Sequence, residues 1–172
     1  MSRLARSSGG FGDHVFRRRF VPVGSTLLAS LLVLLPIVTT GTPLVPEFGL
    51  LFAIAWRLLR PEIWAAHAAL GFGLFNDLVA GHPLGQSMAV WTIIFLACDY
   101  IDYLLGFRDY WMDWLIAAAA ILFYAAASWY IALLMGSAMP FNLLLPQVAA
   151  SILVYPLIAR LVLSLDRWRL AR

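Results

Sequence analysis

The residue types best suited to chemistry lie in one glycine-rich run. It reads Gly73-Leu-Phe-Asn-Asp77-Leu-Val-Ala-Gly81-His-Pro83-Leu-Gly85, so a carboxylate stands near the end of an apolar segment that glycine and proline then interrupt. Such a carboxylate is either a functional site or a structural bracket that accepts hydrogen bonds from exposed N–H groups of the Gly81 to Gly85 turn. The bracket is favoured, because the N-terminus of the helix that follows attracts negative charge.

The same run forms a stripe of small residues. Gly73, Asp77 and Gly81 recur every four residues and therefore share one face of a helix. Small residues on one face let another helix approach closely. The candidate residues for a structural role or a partner contact are therefore Gly73, Asp77, Gly81, Pro83 and Gly85.

A second polar group surrounds a predicted turn further along the chain. Its members are Asp99, Asp102, Arg108, Asp109 and Asp113. Acids three or four residues apart share a helix face, which is compatible with a site for a divalent cation or a diphosphate. Pairing of the acids with arginines, within a belt of tyrosine and tryptophan at a membrane surface, is favoured instead. We therefore predict no metal site and keep these residues as candidates for a partner contact.

Catalytic companions for these residues are missing from the sequence. After Asn76-Asp77 the chain continues Leu-Val-Ala, without the further acids on one face that a membrane prenyltransferase needs. No HExxH, P-loop or GxSxG motif occurs, and a single cysteine, Cys98, excludes a CxxC site. We predict no catalytic activity and no cofactor, and we expect Cys98 to be a buried helix residue.

Composition identifies the elements that must position these residues as membrane helices. Hydrophobic residues make up 63% of the chain, charged residues 12%, and the mean hydropathy is +0.87. A soluble domain cannot bury this much apolar surface, whereas about 20 apolar residues span a bilayer. The sequence therefore predicts an all-α integral membrane bundle of six transmembrane helices, residues 20–172, behind a disordered basic cytoplasmic tail, residues 1–19. The approximate spans are residues 20–44, 46–59, 62–80, 84–105, 109–137 and 140–165.

The arginines support this topology, because basic residues collect in cytoplasmic loops and the chain has no lysine. With six spans and cytoplasmic N- and C-termini, all 12 arginines fall on the cytoplasmic side. Removing the short second span would move Arg57 and everything after it to the outside. The charge pattern therefore favours a second helix, from whose end Arg57 is expected to reach the membrane surface. Asp77 then lies near the outer edge of the hydrocarbon, about 22 Å from the cytoplasmic start of the third helix.

The chain resembles a family, the bacterial rod shape-determining membrane protein MreD. The likeness rests on three features: Trp56-Arg-Leu-Leu-Arg-Pro61, the run from Gly71 to Gly85, and Pro156 ahead of a basic C-terminus. Asn76 departs from the apolar residue expected beside the acid. The resemblance covers the chain from about the first helix to the end.

The resemblance implies a non-enzymatic scaffold of the cell-elongation machinery in the bacterial inner membrane. Its expected partners are MreC, then RodA with its class B penicillin-binding protein partner, and the MreB filament, directly or indirectly. No nucleic-acid partner is expected, membrane lipid surrounds the bundle, and a homodimer stays open. The family is also similar to the six-helix substrate-binding subunits of energy-coupling-factor transporters. A vitamin-type solute-binding subunit is therefore the alternative function, with few polar donors available for it, mainly Asn76, Gln86, Asn142 and Gln147.

Overall fold

The computed structural model describes residues 9–34, 45–106, 109–137 and 140–170, and this part of the chain is all-helical. Short 3-10 segments follow the first helix, at Leu32–Leu34, and precede the last one, at Phe141–Leu144. The all-α prediction is therefore confirmed. The six α-helices are α1 (Gly9–Leu31), α2 (Phe48–Leu59), α3 (His67–Ala80), α4 (Gln86–Leu104), α5 (Tyr110–Leu134) and α6 (Leu145–Leu170).

Three of the described helical segments are long and apolar enough to cross a membrane: Gln86–Leu104, Tyr110–Leu134 and Phe141–Leu170. Helices α2 and α3 have only 12 and 14 residues. At about 1.5 Å per residue they measure about 18 and 21 Å, less than the roughly 30 Å of a hydrocarbon core. Six complete membrane spans therefore remain a prediction, whereas three apolar helices of spanning length are present.

Helix α2 forms the centre of the bundle. Its sequence, FGLLFAIAWRLL, is apolar except for Arg57, and an apolar helix must be covered by other helices or by lipid. Leu51, Ala53, Ile54 and Trp56 have no exposed surface at all, and α2 contacts each of the other five helices. The short helix that was hardest to assign from the sequence is thus the core of the fold.

Several helix ends differ from the predicted spans. Helix α1 begins at Gly9, inside the segment expected to be a tail, and the second half of the predicted first span lies outside the described residues. Helix α3 begins at His67 instead of residue 62, because the chain after Pro61 first forms turns. Helix α6 continues to Leu170, past residue 165, with Pro156 inside it.

The polar residues described below lie at two ends of the helix bundle. One end contains the α3–α4 turn, the start of α2 and the start of α6, and we call it the glycine-turn end. The other contains the ends of α2, α4 and α6, where Arg57, Asp99 and Asp166 meet, and we call it the arginine end. In the predicted topology, the glycine-turn end faces outward and the arginine end faces the cytoplasm.

Candidate functional site

Asp77 joins α3 to the start of α4. Its Oδ2 accepts a hydrogen bond from the Gly85 N–H at 2.9 Å, and its Oδ1 accepts one from the Ser87 N–H at 2.8 Å. Only 1% of its surface is exposed. The hydrogen bond from Gly85 is the one that the bracket interpretation predicts. The other comes from Ser87, the second residue of α4. The first N–H groups of a helix have no partner within the helix itself, so Asp77 supplies one.

Two glycines shape the turn that Asp77 holds. Gly81 ends α3 at φ 71°, and Gly85 precedes α4 at φ 98°. Residues with a Cβ are strained in this left-handed region, whereas glycine adopts it readily. Between them, the carbonyl of Pro83 accepts a hydrogen bond from the Gln86 N–H at 3.0 Å. The glycine and proline positions singled out in the sequence therefore form a tight reversal between antiparallel helices.

Gly73 lies where α3 and α4 cross most closely. A Cβ on this residue would stand 2.6 Å from the backbone N and Cα of Met88. No real Cβ sits that close to a backbone atom, so only glycine fits unless the helices move apart. The small-residue stripe predicted from the sequence thus faces another helix of the same chain, and Gly73 and Asp77 are both buried within that contact.

A polar network beside Asp77 was not predicted. The Asn76 side-chain amide, 1% exposed, donates to the Ser87 hydroxyl at 3.3 Å, and that hydroxyl lies 3.5 Å from the Tyr124 hydroxyl. Asn76 also approaches α2, since its Oδ1 would be 3.1 Å from a Cβ placed on Gly49. Asn76, a departure from the apolar residue expected there, therefore links α3 to α4 at the level where α2 and α5 pack.

Two adjacent cavities open at the glycine-turn end. The inner cavity has a volume of about 130 Å³, and the larger one, which we call the vestibule, has about 510 Å³. They share the wall residues His82, Ser128 and Leu144, so they are neighbours. The polar side chains lining the inner cavity are those of Glu47, His82, Tyr124, Ser128, Gln147 and Ser151.

Glu47 and His82 line the inner cavity and carry polar atoms that have no hydrogen-bond partner among the described residues. The Glu47 carboxylate makes no hydrogen bond or ion pair with any of the described residues, although the side chain is only partly exposed. His82 Nδ1 is buried and has no hydrogen-bond partner among them. Burial lowers the pKa of His82, with Asp77 opposing that shift, so the imidazole is mainly neutral at pH 7. Neither residue was singled out as a candidate, because nothing in the local sequence places Glu47 near the α3–α4 turn.

The arginine end holds a network of ion pairs. Arg57 is 2% exposed and pairs with Asp99 and with Asp102, the latter at 2.9 Å. The expectation that Arg57 extends to the membrane surface is therefore wrong, because two carboxylates on α4 hold it inside. The predicted pairing of the acids with arginine is confirmed for these two residues.

Asp166 on α6 accepts hydrogen bonds from two arginines at this end. Arg60 donates to Asp166 at 2.8 Å, and Asp166 also accepts from Arg169 at 2.7 Å. The Arg169 guanidinium lies 5.3 Å from the ring centre of Trp56, a distance typical of a cation–π contact. Asp166 was missed by sequence reading, since more than a hundred residues separate it from Arg60 and no local pattern signals the contact.

Of the remaining residues of the predicted acidic turn, Asp109 and Asp113 lie at the start of α5. Arg108 lies outside the described residues. Asp109 is exposed at the start of α5 and makes no side-chain cap, while Asp113 lines a recess of about 60 Å³ together with Tyr110 and Trp114. Within the described ranges, no three His, Cys, Asp or Glu side chains converge in a way that could hold a metal ion.

Cys98 is buried in α4, as expected from the sequence. Comparison with known proteins adds no relative: no family model, curated protein or solved structure matches this chain. The likeness to MreD therefore rests on the residues given above.

Proposed function

We propose that this chain is a non-enzymatic membrane scaffold of the MreD type, which binds MreC in the bacterial inner membrane and supports lateral-wall peptidoglycan synthesis and rod shape. RodA, its class B penicillin-binding protein partner and the MreB filament are then direct or indirect partners. The proposal rests on the two hydrogen bonds that the Asp77 carboxylate accepts from the start of α4. That carboxylate is fully engaged in joining two helices, which is the role of a shape-holding residue.

The hydrogen bonds of Asp77 fix how α3 is rotated against α4, and therefore which face of α3 is exposed. With Gly73 and Asp77 turned toward α4, the adjoining face of α3 exposes Leu70, Leu74 and Leu78, which are 42%, 40% and 65% exposed. These residues lie four apart and form one stripe, the α3 leucine stripe. An apolar stripe on a helix held firmly at one end is suited to packing against a transmembrane helix of a partner.

Co-purification of tagged protein with MreC tests this proposal. Leu74→Trp and Leu78→Trp alter the stripe without touching the bracket, and Leu157→Trp makes the same change on the exposed face of α6, where Leu157 is 64% exposed. We expect both α3 variants to lose most of the bound MreC and to round the cells, while the α6 variant keeps both. Wild-type MreC recovery with both α3 variants, at normal membrane levels, would remove the stripe as the contact surface.

The two cavities favour a second candidate function, the binding of a small solute. Sites for vitamin-sized ligands usually enclose about 300–1,000 Å³. The inner cavity is smaller than that, whereas the vestibule falls within the range. Thermal-shift screening of the purified chain against vitamins separates the two functions. A saturating vitamin that raises the melting temperature would support the transporter subunit, and no shift with any of them would count against it.

A further inference from the structure

The inner cavity contains a carboxyl group and a further hydrogen-bond acceptor that have no partner among the described residues. It is lined by the Glu47 carboxylate, and no arginine side chain is among its wall residues. Burial without a neighbouring cation favours the protonated form of a carboxyl group, because little water remains to solvate its charge, and a cation placed beside it makes the ionised form favourable again. The cavity therefore favours a positively charged guest over a neutral or negative one.

His82 adds a second acceptor on the same cavity. A neutral imidazole carries one proton, so with that proton on Nε2 the buried Nδ1, which has no partner among the described residues, can accept a hydrogen bond once the ring turns toward a guest. A guest that carries several N–H donors satisfies Glu47 and His82 together. A quaternary ammonium has charge but no N–H, so it can pair with Glu47 but cannot donate a hydrogen bond to His82.

Neighbouring contacts hold Glu47 at this position. The Gln147 side-chain amide on α6 donates to the carbonyl of Val45 at 3.0 Å, which attaches the segment before α2 to the start of α6. The Glu47 carbonyl accepts from the Leu51 N–H at 3.0 Å, the first hydrogen bond of α2. Two fixed points thus flank Glu47 in the chain, and its side chain remains at the cavity wall.

The two cavities differ in size and lining, which sets the shape of the guest. The inner cavity has room for about four water-sized groups at roughly 30 Å³ each. The vestibule next to it has apolar walls that include Pro83, Trp129, Met135 and Leu144. A small polar head fits the first space, and an apolar body fits the second.

We propose that the glycine-turn end binds a primary amine, with its ammonium group in the inner cavity on Glu47 and His82 and its apolar body in the vestibule. Two sources offer a primary ammonium group: a free alkylamine, whose chain is the apolar body, and the head group of phosphatidylethanolamine, whose phosphate and glycerol stand between the ammonium and its apolar acyl chains. The proposal does not depend on the scaffold function, because neither MreC nor the α3 leucine stripe takes part in it.

Titration of the full chain in nanodiscs of phosphatidylcholine, a lipid that carries no primary amine, tests the site. The probes are hexylamine and hexanol, which have the same chain length and differ in charge. We expect hexylamine to bind at least about tenfold more tightly, as a charge-assisted hydrogen bond implies. Equal binding of the two probes would overturn the proposal.

Two matched variants locate the site. Glu47→Gln keeps the shape and removes the charge, and we expect it to weaken hexylamine binding at least about tenfold. Glu62→Gln makes the same change at the arginine end, where that side chain is 67% exposed, and should bind like wild type. His82→Phe removes the second acceptor and should weaken binding as well, so the test survives if one variant fails to fold. Unchanged hexylamine affinity in folded Glu47→Gln would also overturn the proposal.

Native mass spectrometry of the chain extracted from phosphatidylethanolamine-containing membranes distinguishes the sources. Retention of that lipid by wild type and its loss from Glu47→Gln would identify the lipid head group as the guest. Hexylamine binding without retained lipid would identify a free amine. If wild type neither retains the lipid nor binds hexylamine, the site has no guest and the proposal is refuted.

Discussion

Asp77 illustrates, at the scale of one residue, how a buried carboxylate is satisfied without a cation. Backbone N–H groups carry partial positive charge at the start of a helix, and two of them point at this side chain. The sequence indicated that relationship because an acid, a glycine turn and a new helix follow one another within a dozen residues. It did not indicate Asn76 and Ser87, because their contact depends on how α3 and α4 rotate against each other.

Removing the acceptors at Asp77 should destabilise the protein. Asp77→Ala leaves the buried Ser87 N–H unpaired, which costs about 1–3 kcal/mol, and Asp77→Asn keeps one acceptor oxygen and should fall between alanine and wild type. The melting temperature of the purified chain measures this order. Glu62→Ala, at an exposed acid, is the control and should melt close to wild type. A melting temperature for Asp77→Ala equal to that of the control would show that the bracket contributes no stability.

Gly73 and Gly71 provide a matched pair on one helix. Gly73→Ala places a methyl group 2.6 Å from the Met88 backbone, so α3 and α4 must separate at a cost of about 1–3 kcal/mol. Gly71→Ala has nothing within 4 Å of the new methyl group and gains helix propensity, so it should be neutral or slightly stabilising. Thermal unfolding of both variants checks the difference, and equal melting temperatures would contradict the close crossing.

At the scale of helices, the sequence predicted the reversals better than the ends. Glycine and proline mark the turns around Gly81, Gly106 and Gly136, and each of those helices ends within a few residues of the mark. The start of α3 was placed too early, because Glu62 to Ala66 is apolar enough to belong to a helix yet follows a proline-directed turn. Apolar periodicity identifies that a segment is buried, but only local backbone geometry decides where helical hydrogen bonding begins.

The ion pairs between helices differ in burial, and that difference predicts their contributions. Arg57, 2% exposed, connects α2 to two acids on α4, whereas Arg60 is 37% exposed and connects α2 to α6. Breaking a buried pair costs about 3–5 kcal/mol, which the partial exposure of Asp99 and Asp102 reduces. Asp166 is buried but keeps its pair with Arg169 when Arg60 is removed, so that loss should be smaller.

Arg57→Ala should therefore unfold at a clearly lower temperature than Arg60→Ala. Adding Asp99→Asn and Asp102→Asn to Arg57→Ala should recover part of the loss, because the two side chains that faced the guanidinium are then neutral. Thermal melts of these variants provide the measurement. A larger loss for Arg60→Ala than for Arg57→Ala would show that the burial of Arg57 does not control its contribution.

At the scale of the whole molecule, the five other α-helices all contact the short helix α2. Helix α2 is covered on every side, and its two ends carry different chemistry: Glu47 precedes it at the glycine-turn end and Arg57 lies near its last turn at the arginine end. The sequence indicated α2 only through the charge count, because a segment of this length is ambiguous by hydropathy. The cavity beside Glu47 was not predictable, since it is built from residues of α2, α5, α6 and the α3–α4 turn that only the folded bundle assembles.

This arrangement predicts opposite exposure of the two ends across a membrane. In a Cys98→Ala background, Ser137→Cys marks the α5–α6 turn at the glycine-turn end, and Gly106→Cys marks the α4–α5 turn at the arginine end; both positions are exposed. Because arginine-rich loops stay in the cytoplasm, a membrane-impermeant maleimide added to spheroplasts should label Ser137→Cys and leave Gly106→Cys unlabelled until the membrane is opened. Labelling in the reverse order would place the amine site and the bracket on the cytoplasmic side. Labelling of both positions in sealed spheroplasts would refute a bundle whose two ends lie on opposite sides of the membrane.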